Sequence, residues 1–525
     1  MIGKRVTAIL MVFSMWIFIA STPATADSEP EGLWYGTFEV TEGLFAGYSN
    51  LFSMNFVYSE PYGLLASMQI PDFGIFGDFL PVSISGDIVT IYDPYYGSME
   101  ITGKLEGNSL NGESPYGFYA WLEVDNMGWQ YFAGTWKAEK YIPLNELPGE
   151  APGPPCDGLP SLYCIGDREY CSELVQFTPD AGDGYINQAY EGFRYIRRDL
   201  MMLIKYATAK TACKTDGWDY GNKGPLGLID MSEADGSTPK DSYGNYLHPP
   251  GSHEEGRDID TAYYQLYSAD NLARIVGLSY DYHLIEPPYN FDRYRTALYI
   301  SYLAEHPLLR VVGVDGQIGL ILDGEEGTLN ELVEEEWIDE DLRASIPLAY
   351  EVEDTGLGWF RHHHHHLHVS MNQVYDVVSS VEIKPDTLNR YSHGNYVTVH
   401  MEFIESIDVY QIDPNNIISI ALILNGHTML YAEPEDITVS DYNKNGIYDL
   451  TVKFDRQEVL ESIGEGNVEI SIMGMTGIMI DDDLYGVLFQ ESDAIHVIGP
   501  PAQARKNNKP VIPFVRPGGR QFLPE

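Results

Sequence analysis

The 525-residue sequence predicts a multidomain chain. An N-terminal antiparallel β-barrel-like domain and a C-terminal β-sandwich flank a central α+β domain. Three observations predict this. Short alternating runs broken by turn signals fill residues 30–140 and recur over 376–497, whereas helical spacing enters only between them. A Pro-rich stretch, Pro143 to Pro155, separates the first region from the second. A hydrophobic share of 44% is enough to build real cores.

At the start, Lys4 and Arg5 precede an apolar run from Val6 to Ala20, and Ala24-Thr-Ala26 follows as a small-residue cleavage site. This predicts a signal peptide over 1–26, because the run is shorter than the ~20 residues that span a bilayer. No later segment is long and apolar enough to span. The expectation is an exported protein, periplasmic or extracellular, with no integral membrane segment after signal cleavage.

Over 30–140 the strand runs are Trp34 to Val40, Leu80 to Ile91, Met99 to Leu105 and Tyr131 to Ala138, with turns at Ser85-Gly86-Asp87 and Gly107-Asn108. Gly32-Leu-Trp-Tyr-Gly36 and Gly134-Thr-Trp136 resemble the ends of small lipocalin-like barrels, and the aromatics are expected to form barrel core. Residues 141–155 form the linker, since repeated proline removes backbone donors and fixes extended geometry.

In the central region, 156–372, apolar residues at helical spacing predict a helix over Ile186 to Thr211, and Phe291 to His306 a second. Leu226 to Met231, Asp258 to Tyr264, Leu308 to Val314 and His366 to Met371 read as strands of a small antiparallel sheet. Alternation then puts Asp258 and Asp260 on one face, and His366 and His368 on one face. Cys156, Cys164, Cys171 and Cys213 all fall in this region. They lack a Cys-x-x-Cys pair, so two disulfides are expected, with three pairings open.

From 376 to 497 the strand runs are Val381-Glu-Ile383, Tyr396 to Phe403, Ile417 to Leu424, Asp449 to Phe454 and Val468 to Met473, a sandwich pattern of immunoglobulin-like size. Asp441-Tyr-Asn443-Lys-Asn445-Gly446-Ile-Tyr-Asp449 places oxygens at alternating positions before a glycine, which suits Ca2+. The bidentate Glu of an EF-hand is missing, and Asn445-Gly446 also fits a plain β-turn. Residues 498–525 form a Pro-rich, locally basic tail.

The chain carries 78 acidic against 31 basic residues, a net charge of −47. Such a field repels nucleic acid and anionic membranes, so a nucleic-acid partner is excluded. What remains is chemistry in the central region. His253-Glu-Glu-Gly-Arg-Asp-Ile-Asp260 and His366-Leu-His368 supply imidazoles and a carboxylate, and three such ligands leave a zinc ion an open position for water.

Ser252-His253-x-x-Gly256-x-Asp258-x-Asp260, followed by His363-x-x-His366-x-His368, resembles the penicillin-insensitive murein endopeptidases. These belong with the lysostaphin-type, D-Ala-D-Ala and hedgehog peptidase domains. Leu226 to Met231 with Gly236 resembles the strand and loop before the first motif, and Phe291 to Val314 the helix–strand unit between the motifs. The likeness covers roughly residues 185–371. It implies Zn2+ bound by His253, Asp260 and His368, with His366 as the catalytic imidazole and His363 as a supporting one. The histidine run leaves that support open to His362 or His364. Asp258 and Ser252 are implied around the ligands or the substrate, while Ser370 stands where a basic residue is expected. The resemblance implies an exported zinc metallopeptidase acting on peptidoglycan cross-links. A D,D-carboxypeptidase or other peptide amidase would use the same site. From another class, the chain would be a non-catalytic adhesion or matrix-binding protein with a degenerate peptidase scaffold.

Overall fold

A computed structural model describes residues 30–499 apart from 31, 60–62, 71–74, 77–79, 93–98, 125–127, 141–148, 150, 152, 219, 267, 269, 278–281, 285–287, 289, 405–416 and 481–482. The expected signal peptide, most of the 141–155 linker and the tail beyond 499 lie outside the described residues. The chain is multidomain and mostly β. Contacts divide it into one unit of residues 1–147 with 266–268 and 275–291, and another of 148–265, 269–274 and 292–525.

In the first unit, eight antiparallel strands close on themselves: Gly32–Gly43, Ser49–Ser59, Gly63–Ile70, Leu80–Ser85, Ile88–Tyr92, Met99–Glu106, Gly117–Val124 and Gly128–Lys140. The last strand pairs with the first from Trp34↔Lys140 to Gly43↔Phe132, which makes the sheet a barrel. The run Leu80 to Ile91 is a hairpin, turned at Gly86 with φ +66. Aromatics fill the interior, as when Trp136 meets Phe52 edge-on at 5.8 Å. Glycine is required beside that indole, for a Cβ on Gly112 would lie 2.1 Å from Trp136 Nε1.

The second unit begins with two disulfides, Cys156–Cys213 and Cys164–Cys171, which resolve the three pairings left open by sequence. Its central sheet contains β1 (Ala181–Gly182), β2 (Tyr185–Asn187), β3 (Leu226–Leu228), β4 (Asp258–Ala262), β5 (Leu309–Gly313), β6 (Leu348–Ala349) and β7 (His366–Met371). Their order is β1-β2-β3-β4-β7-β5-β6. The sheet is mixed rather than antiparallel throughout, because β2–β3 and β5–β6 run parallel.

Helix α1 covers Arg198–Lys214 and α2 covers Arg293–Ala304, and the two pack together. The first expected helix therefore starts twelve residues late: 186 against 198. Ile186 pairs instead with Gly227, and Tyr195–Arg197 form a strand on Leu174–Gln176. Those ladder bonds override the local apolar spacing. Helix α1 is rich in Leu, Met, Ala and Lys, strong helix formers. Asp292 caps α2 by accepting from Arg295 N–H at 3.0 Å, and its buried carboxylate also pairs with the Arg295 guanidinium at 2.7 Å.

Beyond residue 377, a four-stranded and a five-stranded sheet share one apolar core. Met401 and Val452 come from the first sheet, Ile472 and Phe489 from the second. The disulfide segment is bonded to them: Tyr163 N–H donates to Gly426 O at 2.9 Å and Gln490 Nε2 to Gly166 O at 3.0 Å. No helix among the described residues is long and apolar enough to cross a membrane.

Glu491 lies in the strand Asp483–Ile498. Burial raises its carboxyl to about 7, aided by Asp167 and Asp376 and opposed by Arg168. The folded state thus keeps a proton that the unfolded chain releases near 4.5. Stability from this source is full below that pH and falls as pH rises toward 7. Thermal unfolding of Glu491→Gln should lack this decline. Parallel pH profiles for variant and wild type would refute it.

Candidate metal centre

Strand β4, Asp-Ile-Asp-Thr-Ala, is buried at every position between β3 and β7. Its register with β7 sets Asp258 opposite Ser370, Asp260 opposite His368 and Ala262 opposite His366. Side chains alternate along a strand, so Asp258, Asp260, His366 and His368 share a face. His368 Nδ1 lies 2.9 Å from Asp260 Oδ1, and its Nε2 3.1 Å from Asp258 Oδ1. His366 Nε2 lies 3.3 Å from Asp260 Oδ2.

His253 arrives from a turn held in unusual backbone geometry. His253 has φ +56, Glu255 +54 and Gly256 +67, the left-handed region that non-glycine residues seldom adopt. The turn is fastened on both sides. His253 N–H donates to Asp258 Oδ2 at 3.0 Å, Glu255 N–H to Gly236 O at 2.7 Å, and Arg197 N–H to Gly256 O at 2.9 Å. His253 Nε2 then sits 3.4 Å from Asp260 Oδ1. Its buried Nδ1 has no hydrogen-bond partner.

The histidine run is positioned through its backbone. Tyr263 hydroxyl donates to His363 O at 2.8 Å and accepts from Asp315 N–H at 3.2 Å. Ahead of the run, the buried Glu351 carboxylate accepts from the N–H groups of Thr355, Leu357, Trp359 and Phe360 at 3.0, 3.1, 2.6 and 3.1 Å, and from the Thr355 hydroxyl. These bonds, led by the Thr355 hydroxyl, hold its pKa down at about 2. Trp359 stands 5.5 Å from the His363 ring and 6.0 Å from that of His368. A Cβ on Gly313 would meet the indole at 2.0 Å, so only glycine admits it over β5.

Three further groups, His248, Asp230 and Arg310, join the centre from outside the sequence motifs. His248 Nδ1 lies 3.7 Å from Asp260 Oδ2, its Nε2 3.2 Å from Asp230 Oδ2, and its ring 4.0 Å from that of His253. Ligand atoms of His248, His253 and Asp260 fall within 4.8 Å of one another. Arg310 on β5 donates from Nε to Ser370 Oγ at 3.0 Å, and its half-exposed guanidinium reaches within 3.7 Å of Asp258. A cation from the next strand thus stands beside Ser370. No spacing in the sequence marks His248, Asp230 or Arg310. Ser252 plays a local part, its hydroxyl donating to Pro249 O at 2.8 Å.

Burial opposes charge on His368, but hydrogen bonds to Asp258 and Asp260 outweigh it and push its pKa up to about 10. Burial also works against both carboxylates, yet His368 beside Asp258, and His366 and His253 beside Asp260, hold both below the usual range. Burial drives His366 well down despite Asp260, and His363 down to about 4. His248 is raised, because its bond to Asp230 overcomes burial.

The donor set suits zinc. Ligand distances of about 2.0–2.2 Å in a tetrahedron put donors roughly 3.3–3.6 Å apart. The 2.9 and 3.4 Å separations of His368 and His253 from one Asp260 oxygen need little adjustment. Asp258 behind His368 is the carboxylate that commonly orients a ligating imidazole.

The loop proposed for calcium is braced by its own bonds. Tyr442 N–H donates to Asp449 Oδ2 at 2.7 Å, Gly446 N–H to Asp441 Oδ2 at 3.1 Å and Asn445 N–H to Asn443 Oδ1 at 2.9 Å. The Asn443 and Asn445 amides both donate to Glu402, at 3.0 and 2.6 Å.

Replacing Glu351 with Ala should speed amide exchange at Thr355, Leu357, Trp359 and Phe360 by about tenfold or more, since charge-assisted bonds are the strong ones. Exchange in 258–262 and 366–371 should not change. Unaltered exchange at the four amides would refute the anchoring role.

No family model matches this chain, and no curated protein matches it. Among solved structures, the major subunit of aggregative adherence fimbriae type I from Escherichia coli aligns at 8% identity, covering 24% of this chain and 97% of its own, with a TM-score of 0.13. That similarity is too low to inform either fold or site.

Proposed function

We propose that this chain is an exported zinc metallopeptidase that hydrolyses peptide cross-links of murein. In this reading the central α+β region is the peptidase domain, and the two sheets beyond residue 377 form a sandwich that positions it. One observation carries the reading. Asp260 and His368 face each other across the β4–β7 pair, and His253 reaches the same carboxylate oxygen from a pinned turn, so two of the three ligands stand on rigid strands.

Bound there, zinc would lower the pKa of a water to about 7 and polarise the scissile carbonyl. The remaining work falls to the chain. His366 takes the proton of the attacking water and returns it to the leaving amine. Asp258 fixes the His368 ring through Nε2. His363 supports His366 from the side, its ring 5.3 Å from that of His366 and 5.5 Å from that of Trp359. Arg310 supports a second reading on the same site, D,D-carboxypeptidase activity, because a half-exposed guanidinium beside Asp258 suits a substrate's terminal carboxylate.

The purified protein should contain zinc, and His253→Ala or Asp260→Ala should lose it. His366→Ala should keep the ion and lower turnover by about 10²–10⁴-fold. Cross-linked muropeptide dimers converted to monomers would mark an endopeptidase, and released D-alanine a carboxypeptidase. A metal-free protein indifferent to these substitutions would overturn the reading.

A further inference from the structure

A fastened hairpin leads into the metal centre. Lys240 and Tyr246 bridge its two arms. Asp241 closes its turn, accepting from the N–H groups of Tyr243 and Asn245 at 2.8 and 2.9 Å and from the Asn245 amide at 2.9 Å. Gly244, at φ +84, supplies the left-handed step. The base of the hairpin is closed by Leu247 N–H donating to Pro239 O at 2.9 Å. It is sewn to the turn that carries His253, for the Thr238 hydroxyl donates to Ser252 O at 2.7 Å and Glu255 N–H to Gly236 O at 2.7 Å. His248, the next residue, stands with its ring 4.0 Å from that of His253. Yet the hairpin holds Tyr243, Tyr246 and Leu247 out in solvent, at 89, 50 and 49% exposed. Rings on a fixed backbone offer contact area with little entropy left to lose on binding.

The geometry points to this hairpin as the rim that holds the glycan strand from which the scissile peptide hangs, with Tyr243, Tyr246 and Leu247 against the apolar faces of its sugar rings. The inference rests on the murein reading above and adds how the polymer is gripped. Position, chemistry and charge select the glycan. Tyr246 is two residues from His248 and Tyr243 five, so they stand at most roughly 7 and 17 Å along the chain from it, at ~3.3 Å per residue. That span matches a peptide arm of a few residues between the scissile bond and its sugar. A phenol ring has an apolar face and a hydroxyl edge, as a sugar ring does. Lys240, its ammonium 4.8 Å from the centre of the Tyr246 ring, balances Asp241, so the hairpin is neutral on a chain of net charge −47. Such a patch suits an uncharged polymer. A second copy or an anionic membrane would meet the repulsion of the whole chain.

Co-sedimentation of the full chain with insoluble murein, and hydrolysis of the same material, test it. Tyr243→Ser combined with Tyr246→Ser should weaken binding, and raise KM, by about tenfold or more. Tyr243→Phe keeps the ring and should bind as wild type does. A neutral oligomer of N-acetylglucosamine should displace wild type from murein, and the free cross-link peptide should not. Displacement by the peptide alone, or a loss in Tyr243→Phe equal to that in the double variant, overturns the inference. A double variant that binds and cleaves as wild type does also overturns it and leaves the zinc reading standing. A chain that holds no zinc and cleaves nothing, yet sediments with murein through these rings, overturns the zinc reading and leaves the rim.

Discussion

The desolvated carboxylate of Asp260 is the constraint around which the second unit is arranged. It lies 1% exposed in a strand buried on both faces, where an uncompensated charge costs several kcal/mol or more. Compensation comes from imidazoles on separate segments: His248 and His253 before the strand, His366 and His368 on the neighbouring one. The β4–β7 register delivers His366 and His368, and the left-handed turn delivers His253. A slip of one residue in that register would turn His366 and His368 to the opposite face.

The strands that carry the centre were legible because their sequences are short, alternating and bounded by turns. His366–Met371 coincides with its expected span, and Asp258–Ala262 lies within its own. Closure of the barrel was legible in part, through the Trp- and Gly-rich first and last strands that pair at its seam. The start of α1 was not, because Ile186 and Tyr195–Arg197 are held by distant ladder partners that local periodicity does not contain. The parallel pairs in the sheet were hidden for the same reason.

The centre follows a similar division. His253, Asp260, His366 and His368 belong to compact motifs whose spacing is itself the signal. His248 and Asp230 enter because the segments around Pro249 and after β3 fold back onto β4, where Ile229 N–H donates to Asp260 O at 2.8 Å and Asp260 N–H to Asp230 O at 2.9 Å. That irregular ladder carries Asp230 to the centre with no mark in spacing. Arg310 is likewise placed by strand order alone, since β5 borders β7 rather than β4.

The turn at His253 also bears on how fast an ion would come and go. Its left-handed backbone is pinned by bonds to Asp258, Gly236 and Arg197, none of which involves a metal. A cage already assembled in this way loses little chain entropy when it is filled. Capture would then be timed by dehydration of the ion and its passage to Asp260, and exchange would proceed without unfolding the turn.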